Sequence, residues 1–187
     1  MATKIRRPKR AREWLELTLL VSFGAVGCSG VLAKGDGRAI GDDLGRFQID
    51  ATLGKSTCGP EALGAPADFR LNVFFSVAPP RVYWNSGADS VEGDLGADGT
   101  HFSFESETVV AVPGAKTAAT TCTMVRTDTS SGDFDDAKSA RSLEGSLEYR
   151  FATQGLSDCS AAMAVQGFSM LPCTMSYRMN GAWVSAR

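Results

Sequence analysis

From Gly45 onward the apolar residues recur at every second position. In Arg46–Leu53, Phe47, Ile49, Ala51 and Leu53 share one face, while Arg46, Gln48, Asp50 and Thr52 share the other. That alternation is the mark of a half-buried strand. Phe69–Val77 repeats it, with Phe69, Leu71, Val73, Phe75 and Val77 opposite Arg70, Asn72 and Ser76; Phe74 breaks the polar face, and Pro79-Pro80 ends the run. Arg81–Asn85 is a short third strand, in which one of the neighbours Tyr83 and Trp84 must point outward. Ser90–Leu95 alternates again, with Val91 and Leu95 on one face and Glu92 and Asp94 toward water. Asp98-Gly99 then supplies a hairpin turn. His101–Val112 follows with Phe102, Phe104, Thr108, Val110 and Val112 in register. Thr120–Thr127 is a weaker sixth strand, and Asp128–Ala140, acidic and rich in Gly and Ser, reads as a solvated loop. Arg141–Phe151 and Cys173–Met179 complete the set, the last extending toward Trp183. Between these two, Ser157-Asp158 resembles a helix N-cap, Cys159–Gln166 allows two turns, and Gly167 ends them.

Eight sequential strands predict an all-β fold, an antiparallel up-and-down barrel of lipocalin-like outline with one short capping helix. Closure is favoured because it leaves no exposed sheet edge; a two-sheet sandwich is the alternative. The inward set is Phe47, Ile49, Leu53, Leu71, Phe75, Phe102, Phe104, Leu147, Tyr149, Phe151 and Tyr177. These side chains fill a small barrel, which eight strands permit; held apart, they would line a ligand cup. The filled core is the simpler expectation.

Residues 1–27 follow a different plan. Lys4, Arg6, Arg7, Lys9, Arg10 and Arg12 precede the apolar Leu17–Val26, and Gly27-Cys28-Ser29 closes the segment. A basic stretch, a short apolar stretch and small residues are the plan of an export signal. The apolar stretch is too short to span the ~30 Å core of a bilayer as a permanent helix. Pro8-Lys9-Arg10 stands where twin-arginine export wants apolar residues, so the general route is favoured. Ala25-Val26-Gly27-Cys28 resembles a lipobox, with Ala25 in place of the preferred Leu. The resemblance implies cleavage before Cys28 and acylation of its thiol, and several acyl chains anchor a protein stably. Ser29 after the cysteine implies the outer membrane. Residues 28–44, Gly-rich and charged, then read as a tether, and 45–187 as the barrel domain.

Cys28 also accounts for the odd cysteine among five. Cys58, Cys122, Cys159 and Cys173 remain, an even number in an oxidising compartment, and none lies in a CxxC pair. If strand direction alternates, all four fall at the end away from the tether, as two disulfides require. Strand neighbourhood favours Cys58–Cys173 with Cys122–Cys159, while Cys58–Cys122 with Cys159–Cys173 stays open. The long connections 54–68 and 152–172 lie at that same end, where function on loops is expected.

Charge narrows the partners. Of 19 basic and 21 acidic residues the leader holds six and two, so residues 28–187 carry 13 and 19, a net of −6. Nucleic acid, which needs a basic stripe, is not an expected partner. A single histidine, His101, excludes multi-histidine metal sites, and no GxSxG, Walker or GxGxxG motif occurs. No cofactor or metal site and no enzymatic activity are therefore expected. Asp128, Asp133, Asp135 and Asp136 lack EF-hand spacing. Glu92 with Asp94 has the composition of a glycosidase pair but faces water.

The lipobox-like AVGC, the TCGPEALGAP stretch, VYWN, GDLGADGTHFSFES and the SDCS…LPC pair resemble small outer-membrane lipoproteins of Gram-negative bacteria that carry no assigned activity. The resemblance spans most of the chain after the leader and implies envelope localisation and a compact β domain. The Gly-x-Trp signature of lipocalins is missing, the first strand reading GRFQI. The expected function is a membrane-anchored, non-enzymatic module that binds a small ligand, a glycan or an envelope protein through the distal, loop-rich end. A purely structural surface lipoprotein with a filled core is the alternative; a hydrolase is the third class, which a buried carboxylate beside His101 would favour.

Overall fold

The computed structural model describes residues 40–86, 90–112, 122–155 and 157–186. The leader, Cys28 and residues 29–39 of the tether lie outside the described residues, so lipidation is not addressed by the fold. Eight strands form a closed antiparallel barrel in chain order: β1 Asp42–Ser56, β2 Phe69–Ala78, β3 Arg81–Asn85, β4 Ser90–Leu95, β5 His101–Val112, β6 Cys122–Phe134, β7 Ser142–Thr153 and β8 Cys173–Ser185. β8 closes on β1, with Ile49 opposite Gly181 and Leu53 opposite Tyr177. The expected up-and-down barrel is therefore the fold, and the sandwich is not.

Two boundaries differ from the sequence reading. β1 begins at Asp42, inside the expected tether, and Leu44 is buried. Leu44 is held because its carbonyl accepts the Trp183 indole N–H at 3.2 Å. The larger difference is β6. Its second half, Asp128–Phe134, is strand where a loop was expected, because it pairs along its whole length with both β5 and β7. Composition suggested a loop, but two flanking ladders satisfy every backbone position, and that outweighs local preference. Gly132 and Gly145 face one another there; a Cβ on Gly132 would lie 2.3 Å from the Glu144 carbonyl and 2.8 Å from the Phe102 ring. Gly132 leaves room for the Phe102 ring, and Gly145 for the close approach of the Ser131–Gly132 backbone.

The lower end, where β2–β3, β4–β5 and β6–β7 turn, is solidly packed. Phe47, Phe75, Phe102 and Phe134 meet ring to ring, with centroids between 4.8 and 6.1 Å apart. The upper end carries the long connections and both disulfides. Cys58–Cys173 ties β8 to the residues following β1, and Cys122–Cys159 ties β6 to the residue before α1 (Ser160–Gln166), with Cα separations of 4.9 and 4.8 Å. These are the pairings that strand neighbourhood favours. α1 has Cys159, not Ser157 or Asp158, at its N-cap position, although the Asp158 carboxylate accepts the Ser160 N–H at 3.0 Å. Gly167 ends it with φ 73°, where a Cβ would strike the Glu61 backbone. The helix and the β1–β2 loop are thus clasped together, Leu63 N–H donating to Gln166 O and Ser169 N–H to Cys58 O. Phe168 packs on Phe151 beneath them at 5.2 Å. The apolar segment around α1 covers part of the upper end, as its composition implied.

Candidate functional site

The inward face of β6 carries the groups of chemical interest. Counting from buried Cys122 and Met124, the same face continues through Arg126, Asp128, Ser130, Gly132 and Phe134. Two charged residues therefore point into the barrel. The Arg126 guanidinium donates from Nε to Asp128 Oδ1 and from Nη2 to Oδ2, both at 2.7 Å, a two-pronged pair that holds the fork flat. The Arg126 and Asp128 side chains are 34% and 19% exposed, so the pair sits at the border of the solvent. Arg126 also lies over the Tyr149 ring, 5.2 Å from its centroid. Burial pushes the Asp128 carboxyl above its ordinary range, against the lowering pull of Arg126. Burial, then the Asp128 charge, raises the Tyr149 phenol.

Asp128 and Tyr149 border space that side chains do not fill. A cavity of about 170 Å³ is lined by Leu71, Trp84, Val91, Phe104, Leu147 and Tyr149, with Ser86, Ser106, Asp128 and Ser130 supplying polar atoms. Trp84 is the inward member of its pair; its ring meets Phe75 at 5.4 Å and Phe104 at 5.7 Å, whereas Tyr83 lies outside opposite Ser76. Tyr149 also lines a second cavity of about 300 Å³, between the β1–β2 loop and Phe69, Met175 and Tyr177. The loop over this second space is unusual. Leu63, Gly64 and Ala65 all have left-handed φ, at 54°, 81° and 69°. For Leu and Ala that conformation costs of order 1–3 kcal/mol each and persists only where surrounding contacts impose it.

The barrel wall is lowest beside Trp84. β3 and β4 are the shortest strands, and the described β4–β5 ladder contains two residue pairs, Asp94–Ser103 and Leu95–Phe102. Above Gly93 the described parts of β4 and β5 are not laddered, so the cup is bounded there by Val91, Phe104 and Ser106. A larger groove of about 590 Å³ lies between the lower turns, lined by Pro79, Pro80 and Gly96–Gly99. Its Asp98 is already engaged by the Thr100 and His101 N–H groups, and Asp42 and Lys138 also line it.

The expected interior residues divide by depth. Phe47, Ile49, Phe75, Phe102, Phe104, Leu147, Phe151 and Tyr177 are buried, while Leu53, Leu71 and Tyr149 are partly open around the cup. The core is thus filled at the lower end and around the disulfides, and open beside Trp84 and Tyr149. His101 lies outside the barrel, its Nδ1 3.1 Å from Asp133 Oδ1, and both side chains are exposed. Glu92 and Asp94 also face outward and pair with Arg81. Asp135 and Asp136 serve the lower turn, taking N–H groups of Arg141, Ser142, Lys138 and Ser139. Of the acidic group expected in a loop, Asp128 alone faces the interior. Its alternation with Met124, Ser130 and Phe134 was the available signal, hidden by a composition typical of loops.

Among the described residues no three of His, Cys, Asp and Glu are grouped to hold a metal ion. No described helix is long and apolar enough to cross a membrane, which says nothing of strands. Comparison of the chain with family models, with curated proteins and with solved structures found no match.

Proposed function

We propose that this chain is an envelope lipoprotein, anchored in the outer membrane through acylated Cys28, and that its barrel is a non-enzymatic binding module with a small-ligand site in the upper cup. The observation that supports the binding site is the Arg126–Asp128 pair turned into unfilled barrel space. An ion pair inside a barrel is a poor stabilising device, since apolar packing of the same volume is often as good or better. Its presence beside Trp84 and Tyr149, over a cavity with hydroxyl groups, is the composition of a ligand pocket: apolar walls and a few convergent polar groups. The anchor reading rests on the basic leader and the Gly27-Cys28 junction. β1 starts at the lower end of the barrel, and the cup lies toward the other end.

The site is tested with N-phenyl-1-naphthylamine, a neutral apolar dye, and the full-length protein in detergent. Trp14→Phe with Trp183→Phe leaves Trp84 as the single tryptophan of three. The dye should accept energy from Trp84 and saturate. Leu147→Trp, which fills the cup, should abolish saturable binding in an otherwise unchanged fold. Dye binding that is indifferent to Leu147→Trp would sink the cup as a ligand site.

A further inference from the structure

We infer that the cup selects an uncharged, hydroxyl-bearing ring, a neutral sugar unit, over charged ligands of the same size; this rests on the cup being a binding site. Three observations converge on that class. The first is charge balance. Asp128 is the one carboxylate among the residues lining the 170 Å³ cavity, no Lys, Arg or His is among them, and both Asp128 oxygens are already matched by Arg126. A cation would have to share Asp128 with a guanidinium, and an anion would have to share Arg126 with a carboxylate. Either would bring an unmatched charge into a half-buried space, which is costly. A neutral ligand leaves the pair intact.

The second observation is the kind of hydrogen bonding still on offer. A carboxylate engaged by two N–H groups retains further acceptor capacity. Ser106, Ser130 and Ser86 add hydroxyls that can donate or accept. Such a mixture matches the hydroxyls of a sugar, which both donate and accept. The third is shape. Trp84, Phe104, Leu71, Val91 and Leu147 make the remaining wall apolar and partly aromatic. The C–H face of a sugar ring can lie on such a wall while its edge hydroxyls reach Asp128 and the serines. The volume limits the ligand: a cavity of about 150 Å³ holds benzene, so about 170 Å³ takes one face of a single sugar ring and no more. An acyl chain would find a charged pair and serines in its path.

The test uses three probes of one shape: methyl glucoside, glucosamine and glucuronate. Each is titrated into ¹⁵N-labelled full-length protein in detergent, reading the Trp84 indole signal and the amide signals of Asp128 and Tyr149. Methyl glucoside should shift these signals at roughly tenfold lower concentration than either charged analogue, the factor a mismatched hydrogen bond to a charge commands. Asp128→Asn leaves Arg126 unmatched and should turn the preference toward glucuronate. The double variant Arg126→Gln/Asp128→Asn, neutral again, should restore the preference for the glucoside. Preference of the native protein for either charged probe overturns the inference and leaves the cup as a binding site. So does an order of preference unmoved by Asp128→Asn. Failure of all three sugars while the naphthylamine dye still binds overturns the sugar class alone; failure of all four ligands overturns the binding site with it.

Discussion

At the scale of single residues, Asp128 behaves unlike the other shifted carboxylates. Asp98, Asp135, Asp136 and Asp158 are held below the usual carboxylate range, chiefly by backbone N–H groups. Each contributes stability that is present above the ordinary value of 3.8 and is lost as pH falls. Asp128 is raised from 3.8, first by burial. A carboxyl raised in the folded state binds its proton more readily there than in the unfolded chain, so its contribution is present below 3.8 and lost as pH rises. Two outcomes are expected in thermal melts across pH. The native protein loses stability on acidification below about pH 4, led by the four lowered aspartates. Asp128→Asn removes the one opposing group, so its melting temperature gains on the native protein as pH rises from 3 to 7. A variant that instead falls progressively behind over that range would show Asp128 to be a stabilising group, contrary to its burial. A residue that costs stability when ionised, in a barrel that could have been packed with Leu, fits a site kept for binding.

Secondary-structure elements show where local pattern suffices and where it does not. Strands β2, β3, β4 and β5 were readable to within a residue or so, because each carries strict alternation bounded by Pro, Gly or Asn. β6 was read only in its first half. Its second half, with polar and small residues on the inward face, gives no apolar stripe; partners on both sides make it a strand. The same misreading hid Asp128. Topology made legible the end that carries the disulfides, since alternating strand directions put four cysteines there, while the choice between two pairings came with the structure. Their energetic effect belongs to this scale. Cys58–Cys173 closes a span of 115 residues and Cys122–Cys159 one of 37. On the loop-entropy account, removing the shorter bridge with paired Ala substitutions costs roughly 4 kcal/mol and removing the longer about 1 kcal/mol more. Urea unfolding of the two variants checks both magnitude and order. Equal losses, or a larger loss for Cys122–Cys159, would place the stabilisation in the clasp of α1 rather than in barrel closure.

The whole molecule combines a packed lower half with a stapled, partly open upper half. Anchoring is the property to test at this scale. Cys28→Ser should move the protein from the membrane fraction to the soluble periplasmic fraction, leaving the barrel folded and both disulfides formed. Full retention in the membrane fraction by the variant would refute the lipid anchor. Sequence by itself determined the all-β class and the strand count, because the period of two and the turn residues are local properties; it favoured the barrel over a sandwich, and the β1–β8 ladder decides it. It also determined the apolar interior residues, since register makes alternate positions equivalent. It did not determine how far those residues reach toward one another, and so left filled core and cup as competing readings. The tertiary structure decides between them by depth. Four phenylalanines meet in the lower half, and the glycine at 132 gives Phe102 room. Higher up, Arg126 and Asp128 hold part of the interior open. Whether an inward position is packed or vacant depends on side chains from strands distant in sequence, which only barrel closure brings face to face.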